Sequence, residues 1–296
     1  MFTNFKVKSI RKNWAKSDAK RDFGLVTPDE IKRYDNISYG PYGNDNLLDI
    51  YIRKDATGLQ PAIVNVHGGA WVYGSKEVYQ FYCMQLAMSG FTVVNINYRL
   101  APENVFPAAI IDINTVMEFI ERHGCEYNID KNRIVMVGDS AGGQLVSHYA
   151  AYATNFEFAK MLKLSIPNIT IRALGLNCGI YDSKEMAMGK KDDMFLAYLG
   201  KGKRIRDEKL LGMVDTIGNI TAKFPPSFVM SAQEDFLLSK AEPMYQKLQS
   251  MGVPSVVKIY GEKGNKEIGH VFHVNIKLDE ATRCNNDEIE FFKKYV

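Results

Sequence analysis

Residues 134–143 decide the fold, because they read IVMVGDSAGG and join a strand-like run to a tight turn. The first four residues are apolar and largely β-branched, which is typical of a strand covered on both faces. The next five match the pattern Gly-x-Ser-x-Gly, and a helix-compatible run follows at 144–153. A turn this tight needs both glycines, because flanking side chains would clash. It lifts Ser140 clear of the sheet at a helix N-terminus, where developing negative charge is stabilised.

Strand and helix patterns alternate on both sides of this stretch. Short apolar runs predict strands at 48–52, 62–66, 91–96, 134–137, 173–176, 228–230 and 256–260. Apolar residues three or four apart predict a helix around 110–120. Ser239 to Glu242 predicts a capping box that opens another helix, which Gly252 would end. Repeated strand–helix–strand units imply a mainly parallel sheet with helices on both faces, the α/β class.

Two segments fall outside this alternation, which leaves 34–296 as the predicted catalytic domain. Residues 1–33 are polar and basic with scattered apolar positions, which indicates an amphipathic helix packed on the fold, or alternatively on a membrane surface. Residues 180–224 have no strand pattern, which indicates an inserted lid, or alternatively a solvated helical insertion. The charged residues of this second segment include Lys190, Lys191, Asp192, Asp193, Lys203, Arg204 and Arg206.

The composition excludes several classes of protein. With 46% hydrophobic and 24% charged residues, the chain is typical of a globular protein. A net charge of +3 gives no electrostatic reason to expect nucleic-acid binding. No run approaches the 18 apolar residues of a membrane-spanning helix. The four cysteines are far apart and are expected to be reduced thiols, and without an export signal we expect a cytoplasmic protein.

A serine hydroxyl is a weak nucleophile and needs a neighbouring base. When a serine occupies such a turn, an acid and then a histidine follow it in the chain, each in a loop after a strand. His270 and His273 are the histidines that come late enough. Asp235 and Glu234 both follow the strand at 228–230, and Asp235 is favoured because it directly precedes the segment leading into the next helix.

A third element, His67-Gly68-Gly69-Ala70-Trp71, follows the strand at 62–66 directly. A tetrahedral intermediate needs backbone N–H groups aimed at its oxyanion, and glycine allows the backbone to approach closely. The predicted donors are Ala141, which follows the nucleophile, together with Gly69 and its neighbours Gly68 and Ala70. His67 precedes the serine in the chain and is expected to be structural.

Four motifs together resemble one family, the hormone-sensitive-lipase-like branch of the α/β-hydrolases, which includes bacterial acetyl esterases and carboxylesterases. The motifs are His67-Gly68-Gly69-Ala70-Trp71, Tyr98-Arg99-Leu100-Ala101-Pro102-Glu103 with Phe106-Pro107-Ala108-Ala109, Gly138-Asp139-Ser140-Ala141-Gly142-Gly143, and His270-Val271-Phe272. The resemblance covers roughly residues 34–296. It implies an eight-stranded, mostly parallel sheet and a small helical cap built from 1–33 and 180–224.

The resemblance also implies a catalytic triad of Ser140, Asp235 and His270. It implies cleavage of short-chain, acetyl-like carboxylic esters of small molecules through an acyl-enzyme, with no metal and no cofactor. A homodimer through the last strand or helix fits this architecture. Two departures from the family pattern stand out: Ala70 replaces a third glycine, and Phe236 replaces the usual proline after the acid.

Two other functions stay open at this point. The form His-Gly-Gly-x-Trp also resembles aryl-formamide hydrolases, which would make the chain an amide hydrolase. Plant hormone receptors share this fold as non-catalytic binding proteins, but they have lost the histidine that is present here as His270.

Overall fold

The computed structural model describes residues 2–182, 186, 193–200 and 207–296, with side chains from Phe5 onward. Its strands are β1 (Ile31–Ser38), β2 (Leu47–Arg53), β3 (Gln60–Val66), β4 (Thr92–Ile96), β5 (Ile129–Asp139), β6 (Ile171–Asn177), β7 (Ser227–Ala232) and β8 (Ser255–Tyr260). They form one sheet in the spatial order β1-β2-β4-β3-β5-β6-β7-β8. The β1–β2 and β2–β4 pairs are antiparallel, and all the other pairs are parallel. The predicted eight-stranded, mainly parallel sheet is confirmed.

Helices cover both faces of this sheet, as predicted. They are α1 (Phe2–Asp22), α2 (Lys76–Ala87), α3 (Ala108–His123), α4 (Ala141–Thr154), α5 (Phe156–Leu162), α6 (Asp193–Leu199), α7 (Glu208–Val214), α8 (Thr216–Asn219), α9 (Ala241–Ser250) and α10 (Asp279–Phe292). Successive residues of β3 alternate between two cores, as the period of a strand requires. Val64 packs in the core that α3, α4 and α9 cover, whereas Ile63 packs in the core under α2 and α10.

Strand β1 is the one strand that the hydrophobic pattern does not predict. It lies at the edge of the sheet, and Ile31 is its single fully buried residue. Charged side chains suit an edge strand because they disfavour pairing of its open edge with another chain, and β1 carries Lys32, Arg33 and Asp35. Because β1 begins at Ile31, the strand crosses the predicted domain boundary at residue 34.

The predicted capping box at Ser239 is wrong. Helix α9 begins at Ala241, and its N-cap residue is Lys240. Ser239 lies instead within a three-ten turn, Leu238–Lys240, because the chain already turns at Asp235, whose carbonyl accepts the N–H of Leu238. The C-terminal end of α9 agrees with the prediction. The helix stops at Ser250, and Gly252 follows with φ +70°.

Helix α1 packs against the rest of the fold through the buried side chain of Val7 and through polar contacts. Arg11 donates to the carbonyls of Val72 and Ala101 at 2.7 and 3.0 Å and forms a two-point ion pair with Glu103. At the other end of the helix, the Lys277 ammonium donates to two backbone carbonyls, of Arg21 and Phe23, both at 2.7 Å. Helix α1 is therefore fastened to the rest of the fold in its N-terminal half and at its C-terminal end.

The described residues of the second segment, 180–224, include the helices α6, α7 and α8 and no strand. Tyr198 of α6 stacks on Trp71 with ring centroids 4.9 Å apart, so this segment touches the loop after β3. Lys190, Lys191, Asp192, Lys203, Arg204 and Arg206 lie outside the described residues. Among the helices of the described residues, none has the length and apolar character needed to cross a bilayer.

A carboxylic acid is buried where α10 packs on β6. Glu288 is 1% exposed, and its side chain faces those of Asn177 and Tyr82. Gly175 makes room for it, since a Cβ there would lie 2.1 Å from Glu288 Oε1. Burial raises the pKa of Glu288 from its ordinary 4.5 to about 8, so the group is mainly uncharged at neutral pH.

This pKa predicts how stability depends on pH. The folded protein keeps the Glu288 proton up to about pH 8, whereas the unfolded chain loses it near 4.5. The contribution of Glu288 to the free energy of unfolding should therefore fall as the pH rises through this window, by at most about 1.4 kcal/mol per pH unit. Glu288→Gln should remove this fall, which urea unfolding of both proteins between pH 5 and 9 would measure.

The matched control is Glu290→Gln, because Glu290 is exposed on the same helix and pairs with Lys293. It should leave the pH dependence of the wild type unchanged. Parallel stability curves for the wild type and Glu288→Gln would contradict the prediction.

Candidate active site

Ser140 occupies the turn between β5 and α4, as the sequence predicts. Its backbone has φ +53° and ψ −117°, a conformation that is strained for any residue other than glycine. The Ser140 N–H donates to the carbonyl of Asn177 at 2.9 Å, which fastens the turn to the end of β6. Ser140 is the N-cap residue of α4, so it lies directly before the N-terminus of a 14-residue helix.

Both glycines of the turn are required by close backbone contacts. A Cβ on Gly138 would lie 2.4 Å from the carbonyl oxygen of Gly142. A Cβ on Gly142 would lie 2.0 Å from the carbonyl oxygen of Val66, at the end of β3. Real Cβ atoms do not approach other atoms so closely, so the turn and the end of β3 can adjoin only with glycine at these positions.

The structure brings Ser140, His270 and Asp235 together. His270 Nε2 lies 3.0 Å from Ser140 Oγ, and His270 Nδ1 lies 2.8 Å from Asp235 Oδ1. With the proton on Nδ1, the imidazole donates to the carboxylate and accepts from the hydroxyl. This arrangement allows His270 to remove the Ser140 proton while Asp235 holds the ring in place.

Asp235 is buried and held by several donors besides His270. Its Oδ2 accepts the Ser231 hydroxyl at 2.8 Å, and its Oδ1 accepts the Leu237 N–H at 2.8 Å. Burial raises the pKa of Asp235, but the bonds from His270 and Leu237 outweigh it, so the pKa falls below its ordinary value. Asp235 therefore stays ionised beside the histidine.

The two alternatives left open by the sequence lie elsewhere. The Glu234 carboxylate accepts the Gly264 N–H at 2.8 Å, on the exposed side of the loop. His273 is buried against Tyr82, with ring centroids 5.3 Å apart, and burial lowers its pKa to about 3. Neither side chain occupies the position of the carboxylate or the imidazole beside Ser140.

The loop after β3 turns sharply beside the serine. Gly69, Ala70 and Trp71 have φ values of +113°, +50° and +60°. Gly69 has no alternative, since a Cβ there would lie 2.1 Å from the carbonyl oxygen of Tyr73. The Gly68 N–H is already engaged, because it donates to the Tyr79 hydroxyl at 3.1 Å.

This bond changes the set of candidate oxyanion donors. Within the described part of the chain, no hydrogen bond is found for the N–H groups of Gly69, Ala70 or Ala141. These three groups are free to face a ligand beside Ser140. The sequence could not distinguish Gly68 from its neighbours, because the engaging hydroxyl comes from α2.

Tyr79 is a site residue that sequence reasoning missed. Its hydroxyl donates to Asp139 Oδ2 at 2.8 Å while accepting the Gly68 N–H, so it links the serine turn to the loop after β3. Asp139 is 2% exposed, and burial raises its pKa to about 6. In the sequence, Tyr79 is one aromatic residue within a helical run, and only its position in the fold identifies it.

A cavity of about 260 Å³ opens above Ser140 and His270. Helix α1 forms one wall of this cavity with Trp14, Ser17, Asp18 and Arg21. The remaining lining residues are Gly68, Gly69, Ala70, Tyr73, Gly74, Val78, Tyr79, Asp139, Phe236 and Val271. Phe236 stands at the position of the family's proline, and its exposed ring lies 4.3 Å from that of His270.

Cys178, Asp235 and His270 are the described residues whose donor atoms come close enough to suggest a metal site, all within 4.8 Å. Two of these side chains already bond each other, and Asp235 also accepts from Ser231 and Leu237. Burial raises the pKa of the Cys178 thiol well above its ordinary value, whereas a metal ligand must be a thiolate. The cluster fits a hydrogen-bonded set better than a set of metal ligands.

A serine, a carboxylate and a histidine in this chain order, with the serine on the turn after the central strand, define the α/β-hydrolase class. The chain belongs to the BD-FAE family within this class, since the family model matches residues 48–248. The resemblance to the hormone-sensitive-lipase-like branch is confirmed by this match together with the relatives.

Two curated relatives come from Mycobacterium tuberculosis. The probable carboxylic ester hydrolase LipM is 32% identical over 210 residues, which cover 69% of this chain and 48% of LipM. The carboxylesterase NlhH is 29% identical over 246 residues, which cover 77% of this chain and 74% of NlhH. The chain thus spans about half the length of LipM.

Among solved structures, esterase B from Lactobacillus rhamnosis superposes with a TM-score of 0.89 at 21% identity, covering 99% of this chain and 96% of that protein. This likeness establishes the fold over almost the entire chain.

The serine turn provides a direct test of the packing. Gly142→Ala should lower the free energy of unfolding by about 1–3 kcal/mol or more, because the added Cβ must displace the end of β3. It should also reduce any Ser140-dependent activity. Urea unfolding measures the first effect.

The control is Gly212→Ala in α7, where a Cβ would meet no atom within 4 Å. This change should be neutral or stabilise the protein by up to about 1 kcal/mol, because alanine favours helix. Equal stability of the two variants would contradict the packing argument.

Proposed function

We propose that this protein is a serine hydrolase that cleaves carboxylic esters through an acyl-enzyme. The observation that carries the proposal is the hydrogen-bonded series from Ser140 through His270 to Asp235, at 3.0 and 2.8 Å. The relatives support it, since LipM is named a probable carboxylic ester hydrolase and NlhH a carboxylesterase.

The first half-reaction forms the acyl-enzyme. His270 Nε2 takes the Ser140 proton as Oγ attacks the ester carbonyl, and then delivers that proton to the leaving alcohol. Asp235 orients the ring and stabilises the imidazolium, which its low pKa and buried position favour. The second half-reaction repeats these steps with water as the nucleophile and releases the acid.

The negative charge of each tetrahedral intermediate needs donors that are already in place. We assign this role to the N–H groups of Gly69, Ala70 and Ala141. Gly68, which the sequence also suggested, has its N–H on the Tyr79 hydroxyl, so it supports the loop instead. The positive end of the α4 dipole acts in the same direction.

The size of the cavity favours small substrates. At about 260 Å³ it lies below the roughly 300–1,000 Å³ of sites for drug-sized ligands. A short, acetyl-like or butyryl-like acyl group with a small alcohol fits this space. Trp14 and Arg21 in the cavity wall support a cap role for segment 1–33. A cap role for 180–224, a homodimer and a cytoplasmic location stay predictions.

Ser140→Ala should abolish the hydrolysis of p-nitrophenyl esters. In the wild type, we expect a series from acetate to palmitate to peak at two to four carbons. The variant should lose about 10⁴-fold or more in kcat, because the nucleophile is gone.

Full activity of the variant would refute the assignment of Ser140. If the wild type hydrolyses no ester but cleaves an N-formyl aniline, the chain is an amide hydrolase. Ligand binding without any turnover would indicate a receptor, which the Ser140–His270 contact argues against.

Asp235→Asn should lower kcat by about 10⁴-fold, because an amide can hold the imidazole in the wrong tautomer. The adjacent Glu234→Gln is the matched control, since its carboxylate bonds Gly264 rather than His270. Steady-state rates on p-nitrophenyl acetate should change less than about twofold in the control, as for most exposed surface substitutions. If Glu234→Gln lost most of its kcat while Asp235→Asn kept the wild-type kcat, Glu234 and not Asp235 would be the carboxylate that orients His270.

A further inference from the structure

The part of α1 that borders the cavity carries more negative than positive side chains. Asp18 and Arg21 line the cavity, and Asp22 lies beside them. Arg21 Nη1 donates to Asp18 Oδ1 at 3.1 Å, while Nε and Nη2 donate to the two oxygens of Asp22, both at 2.7 Å. One cation is thus shared by two carboxylates, which leaves this group with a net charge of −1.

Arg21 already donates to protein acceptors from all three of its side-chain nitrogens, Nε, Nη1 and Nη2. Its Nη2 also donates to the carbonyl of Val78 at 2.5 Å, and its side chain is 16% exposed. The Asp18 side chain is 23% exposed, and its Oδ2 accepts the Tyr73 hydroxyl at 2.5 Å. Each carboxylate oxygen can accept more than one bond, so Asp18 can still attract a ligand.

Among the residues that the structure describes, the other ionisable groups near the cavity do not make its net charge positive. Asp139 lines its floor, and Asp235 lies behind His270. The ammonium of Lys277 sits on the carbonyls of Arg21 and Phe23, at the end of α1 outside the lining. Of the charged groups that the structure describes at the cavity, more are therefore negative than positive.

Aromatic rings form much of the remaining wall. Trp14, Tyr73, Tyr79 and Phe236 all line the cavity. Trp14 and Tyr73 meet edge to face with centroids 5.6 Å apart, so Tyr73 is held by both Trp14 and Asp18 of α1. Aromatic faces beside a carboxylate are the surroundings in which proteins recognise quaternary ammonium groups.

We propose that the cavity selects esters whose alcohol carries a cationic ammonium group, with Asp18 and the surrounding aromatic rings as the specificity-determining residues. The proposal rests on the proposed ester hydrolysis and names its substrate class. The ester bond would lie at Ser140, and the ammonium would lie against α1. Anionic esters would be disfavoured at the same position.

The test compares two esters of equal shape, choline butyrate and 3,3-dimethylbutyl butyrate, in which carbon replaces the charged nitrogen. The measured quantity is the ratio of their kcat/KM values. Comparing this ratio between the wild type and Asp18→Asn cancels the different intrinsic reactivities of the two esters. We expect the ratio to fall about five- to tenfold in Asp18→Asn. The wild-type ratio should also fall as salt is raised, because ions screen the attraction.

The matched control is Glu103→Gln, which weakens the Arg11 anchor of α1 without changing a residue of the cavity wall. It should keep the wild-type ratio. An equal fall in both variants would overturn the proposal, because displacement of α1 would then explain the effect. An unchanged ratio in Asp18→Asn would overturn it as well.

A second measurement needs no variant. Choline should inhibit the wild type competitively at a lower concentration than 3,3-dimethylbutan-1-ol, and equal inhibition would overturn the proposal if Asp18→Asn fails to fold. Hydrolysis of the neutral ester, and its loss in Ser140→Ala, tests the proposed function separately. Ester hydrolysis without cation preference would therefore refute only the substrate class.

Discussion

The whole site depends on one steric constraint, the contact between the β5–α4 turn and the end of β3. Gly142 lies so close to the carbonyl of Val66 that no side chain fits between them. This closeness brings the N–H of Ala141 next to the loop that follows β3. The bond from Ser140 to Asn177 adds the end of β6 to the same point. The parallel strands β3, β5 and β6 thus end at the same point, which is where the Ser140 side chain lies.

A second set of contacts holds the neighbouring loop against this turn. The Tyr79 hydroxyl bonds both Gly68 and Asp139, so α2 fixes the distance between the loop and the serine. Helix α1 closes the cavity from the other side and is attached by Arg11 and Lys277 through backbone carbonyls. Rigid elements therefore support the proposed chemistry, while the charged wall from α1 faces the substrate.

The predictions that failed share a physical cause. Strand β1 is an edge strand with few buried residues, so its sequence lacks the hydrophobic pattern that marked the seven others. Ser239 has the right spacing for a capping box, but the bonds around Asp235 start a turn earlier. A similar contact narrows a proposal that remains untested: Gly68 has the right residue type for an oxyanion donor, but a hydroxyl distant in sequence engages its N–H. In each case a tertiary contact outweighed a local preference.

The sequence by itself determined the alternation of strands and helices and the glycine turn around Ser140, and it indicated His270 and Asp235 as the partners of that serine. These features follow from local periodicity, from steric limits within a few residues and from chain order, all of which can be read along one dimension. Only the tertiary structure decided that the Gly68 N–H is engaged, that Tyr79 joins two loops, and that α1 brings Asp18 to the cavity. Those facts depend on distances between residues far apart in the chain, because hydrogen bonds and charges act through space and not along the sequence.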